Sequence, residues 1–209
     1  MLTGQRLAAL CALGCGVVLW ALHDPTPAGN LRRMRHELEQ KAASDAIRVE
    51  PFEVLDLMYN PAARLKILDL RDENEFNLFH IASSRRASLE ALGRGELQDL
   101  SRQETVVLVS NGEGRSVEGW MLLATTGHER LYIMKGGIHA WLETFGGSAR
   151  LTQGPPGCPL DECRRYSFDA ALGDRHPQSD PGPKALEKRT FVRKVRIEGP
   201  RKRVSGSCG

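Results

Sequence analysis

A chain of 209 residues that is 41% hydrophobic has enough apolar material for one domain with extensions, and too much for a wholly disordered polyelectrolyte. Its net charge of +3 excludes a uniformly basic nucleic-acid coat. The charge is unevenly spread: the middle mixes both signs, and basic residues gather near the C-terminus.

Residues 1–23 are expected to form a hydrophobic anchor or signal segment. Residues 7–22 are an unbroken run of sixteen apolar and small residues. That is slightly short for a membrane span and slightly long for a signal-peptide core. Trp20 stands near one end, as an interfacial aromatic does. The reading adopted is an uncleaved, single-pass N-terminal anchor. A cleaved signal, which Ala12-Leu13-Gly14-Cys15 would suit, and a buried helix are the alternatives. Arg6 precedes the run and Arg32, Arg33, Arg35 and Lys41 follow it, so the side of the membrane stays open. Residues 24–45 read as a Pro- and Gly-bearing linker over 24–30, then a charged, solvated helix over 31–43. In that helix Leu31, Met34 and Leu38 fall at helical spacing.

Residues 46–146 alternate strand and helix patterns. Ile47-Arg48-Val49 is a short strand, and 50–58 is a helix with Pro51 in its first turn. A buried strand follows over 65–70, a short helix over 73–79, and loop and helix over 89–100. The central strand is 105–109, followed by a helix over 117–126. A strand over 131–134 and a closing helix over 138–145 complete the pattern. Such alternation predicts an α/β fold with a parallel sheet covered on both faces and right-handed crossovers. Ligands of such sheets sit beyond the carboxyl ends of the strands. There lies the loop Ser110-Asn111-Gly112-Glu113-Gly114-Arg115-Ser116, between a β-branched run and a helix start. Strand, loop and helix N-terminus together aim backbone N–H groups at an anion.

Residues 147–209 read as a flexible, basic, cysteine-containing tail. Gly154-Pro155-Pro156-Gly157 and Asp180-Pro181-Gly182-Pro183 are breakers. Cys158 and Cys163 would need two more ligands to hold zinc, and His176 is the one evident candidate, so no metal site is assigned. In an oxidising compartment the pair could form a disulfide. Residues 184–203 carry nine Lys or Arg against two Glu, with Phe191 the one aromatic. Residues 190–197 alternate apolar and basic side chains, as a short amphipathic strand would. Anionic lipid suits this run better than nucleic acid.

Four segments together resemble the rhodanese-like sulfurtransferase family, over about residues 47–145. The loop 110–116 is similar to that family's active-site loop, which runs Cys, four residues, Arg, Ser. Ile67-Leu68-Asp69-Leu70-Arg71 resembles its strand ending in Asp-x-Arg. His80-Ile81-Ala82 resembles its His-Ile-Pro element, with Ala for Pro. The run from Gly127 to Trp141 resembles its last strand and Gly-Gly-x-x-x-Trp helix. Four residues between the first loop position and the arginine match the sulfurtransferase type; the related dual-specificity phosphatases have five.

The resemblance implies that Ser110 occupies the position of the persulfide-carrying cysteine. An oxygen cannot form a persulfide, and no His or Lys lies in the loop to activate a serine. Glu113 would repel an incoming anion. Arg115 is expected to bind an oxyanion or to tie the loop. Asp69 and Arg71 support the strand end, His80 is a structural histidine and Trp141 packs in the core. The expected function is a membrane-tethered, catalytically silent module that binds a protein partner or a small oxyanion, with no cofactor or metal. The alternative is a sulfurtransferase or thiol-redox enzyme using Cys158, Cys163 or Cys208. A plain membrane scaffold is a third reading. The partner and the oligomeric state are left open.

Overall fold

The fold is built outward from the strand that the sequence marks most strongly. In this computed structural model, which describes residues 24–97, 99–146, 150–152, 156, 165–167, 178–188 and 190–197, strand β5 (Thr105–Val109) is buried at every position. Val106 and Leu108 join one apolar cluster, and Val107 and Val109 join a second. Successive side chains leave a strand on opposite faces, so a strand apolar throughout needs cover on both.

Parallel pairing allows that cover. Strand β5 is flanked by β2 (Leu65–Asp69) and β6 (Leu131–Met134), both parallel to it. Strands β1 (Arg48–Val49) and β4 (Ser84–Arg86) complete a five-stranded parallel sheet in the order β1-β6-β5-β2-β4. One cluster joins the sheet to Leu31 and Leu38 of α1 (Pro27–Ala42). It also takes in Leu92 of α4 (Leu89–Arg94) and Trp120, Met121, Leu122 and Leu123 of α5 (Gly114–Ala124). The other takes in Val54, Leu55 and Leu57 of α2 (Pro51–Met58) and Ile138, Trp141 and Leu142 of α6 (Gly137–Phe145). Between β2 and β4 run α3 (Glu73–Leu78) and β3 (His80–Ile81). An antiparallel pair, β7 (Arg150–Thr152) with β8 (Arg165–Ser167), follows the sheet in sequence. The α/β architecture with a parallel sheet between helices is the expected one.

Two expectations about the flanks are corrected. The segment read as a linker over 24–30 is largely helix: Thr26 caps α1, its hydroxyl accepting from the Gly29 N–H at 3.1 Å, and Pro27 occupies the first turn. The helix is not solvated all round. Leu31, Leu38 and Ala42 are buried against α5 and the sheet, each leucine contributing on the order of 1.5–3 kcal/mol. Its charges, paired as Arg35–Glu39 and Lys41–Glu37, stay on the outer face and hide the apolar stripe from a reading by composition.

The second correction concerns the tail expected to be flexible. Residues 178–197 are docked onto the domain wherever they are described. Strand β9 (Gln178–Ser179) pairs parallel with β3, and the Trp141 indole N–H donates to Ser179 Oγ at 2.8 Å. Glu53, fully buried in α2, accepts from the backbone N–H groups of Lys194 and Val195 at 2.8 and 2.7 Å. Val195 is buried among the α2–α6 cluster. Residues 190–197 are not a strand; backbone-to-carboxylate bonds replace a ladder. Arg193 and Lys194 pair with Asp56 and Asp45, both at 2.6 Å, so two cations of the basic run serve intramolecular contacts. The expected anchor and all five cysteines lie outside the described residues. Among the described residues no helix is long and apolar enough to cross a membrane, and no cluster suits a metal ion.

Candidate functional site

The carboxyl ends of β2, β4 and β5 lie side by side, with Asp69 in register with both Arg86 and Val109. The chain leaves β5 at Ser110 and re-enters regular structure at Gly114, three residues before the helix start expected from sequence. Arg115 and Ser116 therefore belong to the first turn of α5, and the loop proper is Ser110 to Glu113.

This loop is closed by its own hydrogen bonds. Ser110 and Ser116 are fully buried. The Ser116 hydroxyl donates to Ser110 Oγ at 3.0 Å, and Ser110 Oγ donates to the Gly112 carbonyl at 3.0 Å. The N-terminal turn of α6 takes up two more carbonyls. Ile138 N–H donates to Ser110 O at 2.9 Å and His139 N–H to Asn111 O at 3.1 Å. Gly136 and Gly137 make this approach possible: both have positive φ, and a Cβ on Gly137 would lie 2.2–2.5 Å from the carbonyl oxygens of Gly112, Ser110 and Asn111.

Glu113 is not aimed into the loop, which corrects the expected repulsion. Its carboxylate accepts from Arg48 Nε at 2.7 Å and from the Gly136 N–H at 2.9 Å. It ties β1, the loop and α6 together, with its charge neutralised by Arg48. The Asn111 amide donates to Glu75, while its Oδ1 is buried without a hydrogen-bond partner.

Asp69 and Arg71 form a buried ion pair, 1% and 0% exposed at their side chains. Arg71 Nη2 meets Asp69 Oδ2 at 2.6 Å and the Phe79 carbonyl at 2.7 Å, while Nε meets Oδ1 at 2.9 Å. The pair clamps the end of β2 to the start of β3. His80 Nδ1 lies 2.9 Å from the Phe76 carbonyl and its ring stacks on Phe76, a structural arrangement.

A family model for the rhodanese-like domain matches residues 51–144. Residues 51–144 are a rhodanese-like domain. The fold is similar to that of the rhodanese-like domain of an Anabaena sp protein, at 22% identity and a TM-score of 0.42, over 46% of this chain and 74% of that one. It is also similar to a rhodanese-related protein of Thermoplasma volcanium, at 25% identity and a TM-score of 0.39, over 46% of this chain and 90% of that one. A third structure, from Rhodopseudomonas palustris, is described as a protein of unknown function and possible tyrosine phosphatase. It shows 19% identity and a TM-score of 0.43, over 51% of this chain and 86% of that one. No curated protein matches the chain.

Arg115 is exposed on this rhodanese-like domain. Its Nη1 reaches the Leu70 carbonyl at 3.4 Å. It lines a cleft of about 230 Å³ beside the loop, together with Leu70, Arg71, Asp72, Arg86, Ser88, Leu89 and Glu90. The bond that Arg115 makes is thus to a carbonyl outside the loop 110–116. Arg86, Arg48 and Glu75 were missed from sequence. Only the register of β4 against β2, invisible in a three-residue polar strand, brings Arg86 level with the site.

Proposed function

We propose that this chain is a rhodanese-like module without sulfurtransferase activity, binding a small oxyanion or an anionic group of a protein partner on the loop side of its sheet. The observation that carries the reading is the state of Ser110. By resemblance it stands at the persulfide position, yet it is buried and donates its proton to a carbonyl. A carbonyl cannot act as general base, and the other hydroxyl contact, Ser116, is itself a donor. Nothing in that environment generates a nucleophile.

The test is thiosulfate-to-cyanide sulfur transfer by the purified chain. Wild type is expected at background. Ser110→Cys is expected to stay near background too, because a buried thiol facing a carbonyl has its thiolate destabilised. Wild-type activity well above background overturns the reading. If that activity survives Ser110→Ala and is lost on alkylation, it belongs to Cys158, Cys163 or Cys208. The same proposal includes a membrane tether at residues 7–22, supported by their unbroken apolar run. Cell fractionation should then recover the chain in membranes that resist a carbonate wash, and recovery in the wash removes the tether.

A further inference from the structure

We infer that the anion is held in the cleft beside the loop, clamped between Arg86 and Arg115, and that it is a small, doubly charged tetrahedral oxyanion. This deepens the proposed function and rests on it.

The loop interior is a poor receptor. The Gly112 carbonyl and two serine hydroxyls already satisfy one another there, and the side chains of Ser110 and Ser116 are closed to solvent. An anion entering would face an acceptor. The cleft is different. Of its three arginines, Arg71 is committed to Asp69. Arg86 and Arg115 come from separate elements, the end of β4 and the first turn of α5, and both are exposed. Among the described residues neither forms an ion pair, and the one hydrogen bond of Arg115 is the 3.4 Å contact to Leu70 O. Arg115 also sits at the positive end of α5, where a cation is disfavoured. Two cations facing one cleft repel each other, Glu90 offsets this in part for Arg115, and a bound dianion reverses what remains.

The cleft carries two carboxylates, and both already have donors. Asp72 Oδ1 caps α3, accepting from the Glu75 N–H at 2.8 Å. The carboxyl of Glu90 is held below its ordinary range by its own backbone N–H, then by Ser88, with Arg94 and Arg115 contributing. The guanidinium forks of Arg86 and Arg115 are the donors left for a ligand, and that geometry matches the edges of a tetrahedral oxyanion. Size agrees: 230 Å³ is below the roughly 300–1,000 Å³ that drug-sized ligands occupy.

The experiment is calorimetric titration of the full chain with sodium thiosulfate and, separately, with sodium phosphate, at constant ionic strength. Saturable binding of both is expected, since the clamp reads charge and shape. Arg86→Ala should weaken it about tenfold or more, as loss of a charge-assisted pair does. Arg86→Lys should fall between, keeping the charge and losing the fork, and Ser110→Ala should bind as wild type. Arg86 is exposed, so its two variants should melt with wild type. Wild-type affinity in Arg86→Ala, or loss of binding in Ser110→Ala, overturns the clamp and leaves oxyanion binding by the module standing. No saturable binding of either anion to wild type overturns both.

Discussion

Arg71→Met is expected to destabilise the fold by about 3–5 kcal/mol, read as a shift in the denaturant midpoint with an unchanged slope. The guanidinium it removes is completely buried and makes three contacts of 2.6–2.9 Å with Asp69 and the Phe79 carbonyl. Its loss leaves the Asp69 carboxylate in a space that excludes water, with only the Arg71 backbone N–H at 3.1 Å still donating to Oδ1. Desolvation of that stranded charge dominates the cost; the missing attraction is the smaller part. The double variant Asp69→Asn/Arg71→Met should therefore cost less than the sum of its two single changes. A loss under about 1 kcal/mol for Arg71→Met would mean that the pair is solvated in solution and the clamp is not structural.

Legibility in the sequence followed the length and uniformity of each signal. Thr105 to Val109 is a continuous β-branched and apolar run, and it folds as the central strand. The pattern from Leu65 to Asp69 gives its neighbour for the same reason. Strands β3 and β4 escaped because His80-Ile81 and Ser84-Arg85-Arg86 are too short and too polar to show a period; the pairing of β4 with β2 and of β3 with β9 is set by tertiary contacts. The burial of α1 was hidden for a different reason. Three apolar positions, Leu31, Leu38 and Ala42, suffice to dock a helix whose other faces are charged.

The docking of residues 178–197 was illegible in principle from local pattern. It depends on Glu53, which lies 141 residues before Lys194, and on a tryptophan indole reaching Ser179. Neither partner has a local marker. The site divides in the same way. Position 110 and the arginine at 115 are marked by motif, and Asp69 with Arg71 by theirs. What motif could not give is direction. Glu113 turns to Arg48, Arg115 turns to Leu70, and the Gly112 carbonyl turns to Ser110. These orientations are fixed by contacts from β1, from the end of β2 and within the loop itself, so the motif names the residues and the packing decides what they face.

The second large effect is expected at Gly137. A side chain there has no space: its Cβ would fall 2.2 Å from Gly112 O, 2.4 Å from Ser110 O and 2.5 Å from Asn111 O. The residue also has φ of +58°, which costs a non-glycine about 1–2 kcal/mol before any clash. Backbone oxygens cannot swing aside as a flexible side chain would, so α6 must retreat or the loop must deform. Gly137→Ala should therefore cost about 2–5 kcal/mol in thermal unfolding, conformational strain and overpacking together. Retreat of α6 would also lengthen the bonds from Ile138 N–H to Ser110 O and from His139 N–H to Asn111 O. Hydrogen exchange at those two amides should rise more than at the β5 amides, which lie in the central ladder. If the loss is small and the two amides stay protected, α6 does not press on the loop, and the closed form of Ser110 to Glu113 needs another cause. If exchange rises at both amides, the loop is held shut from outside as well, by a helix brought close through Gly136 and Gly137.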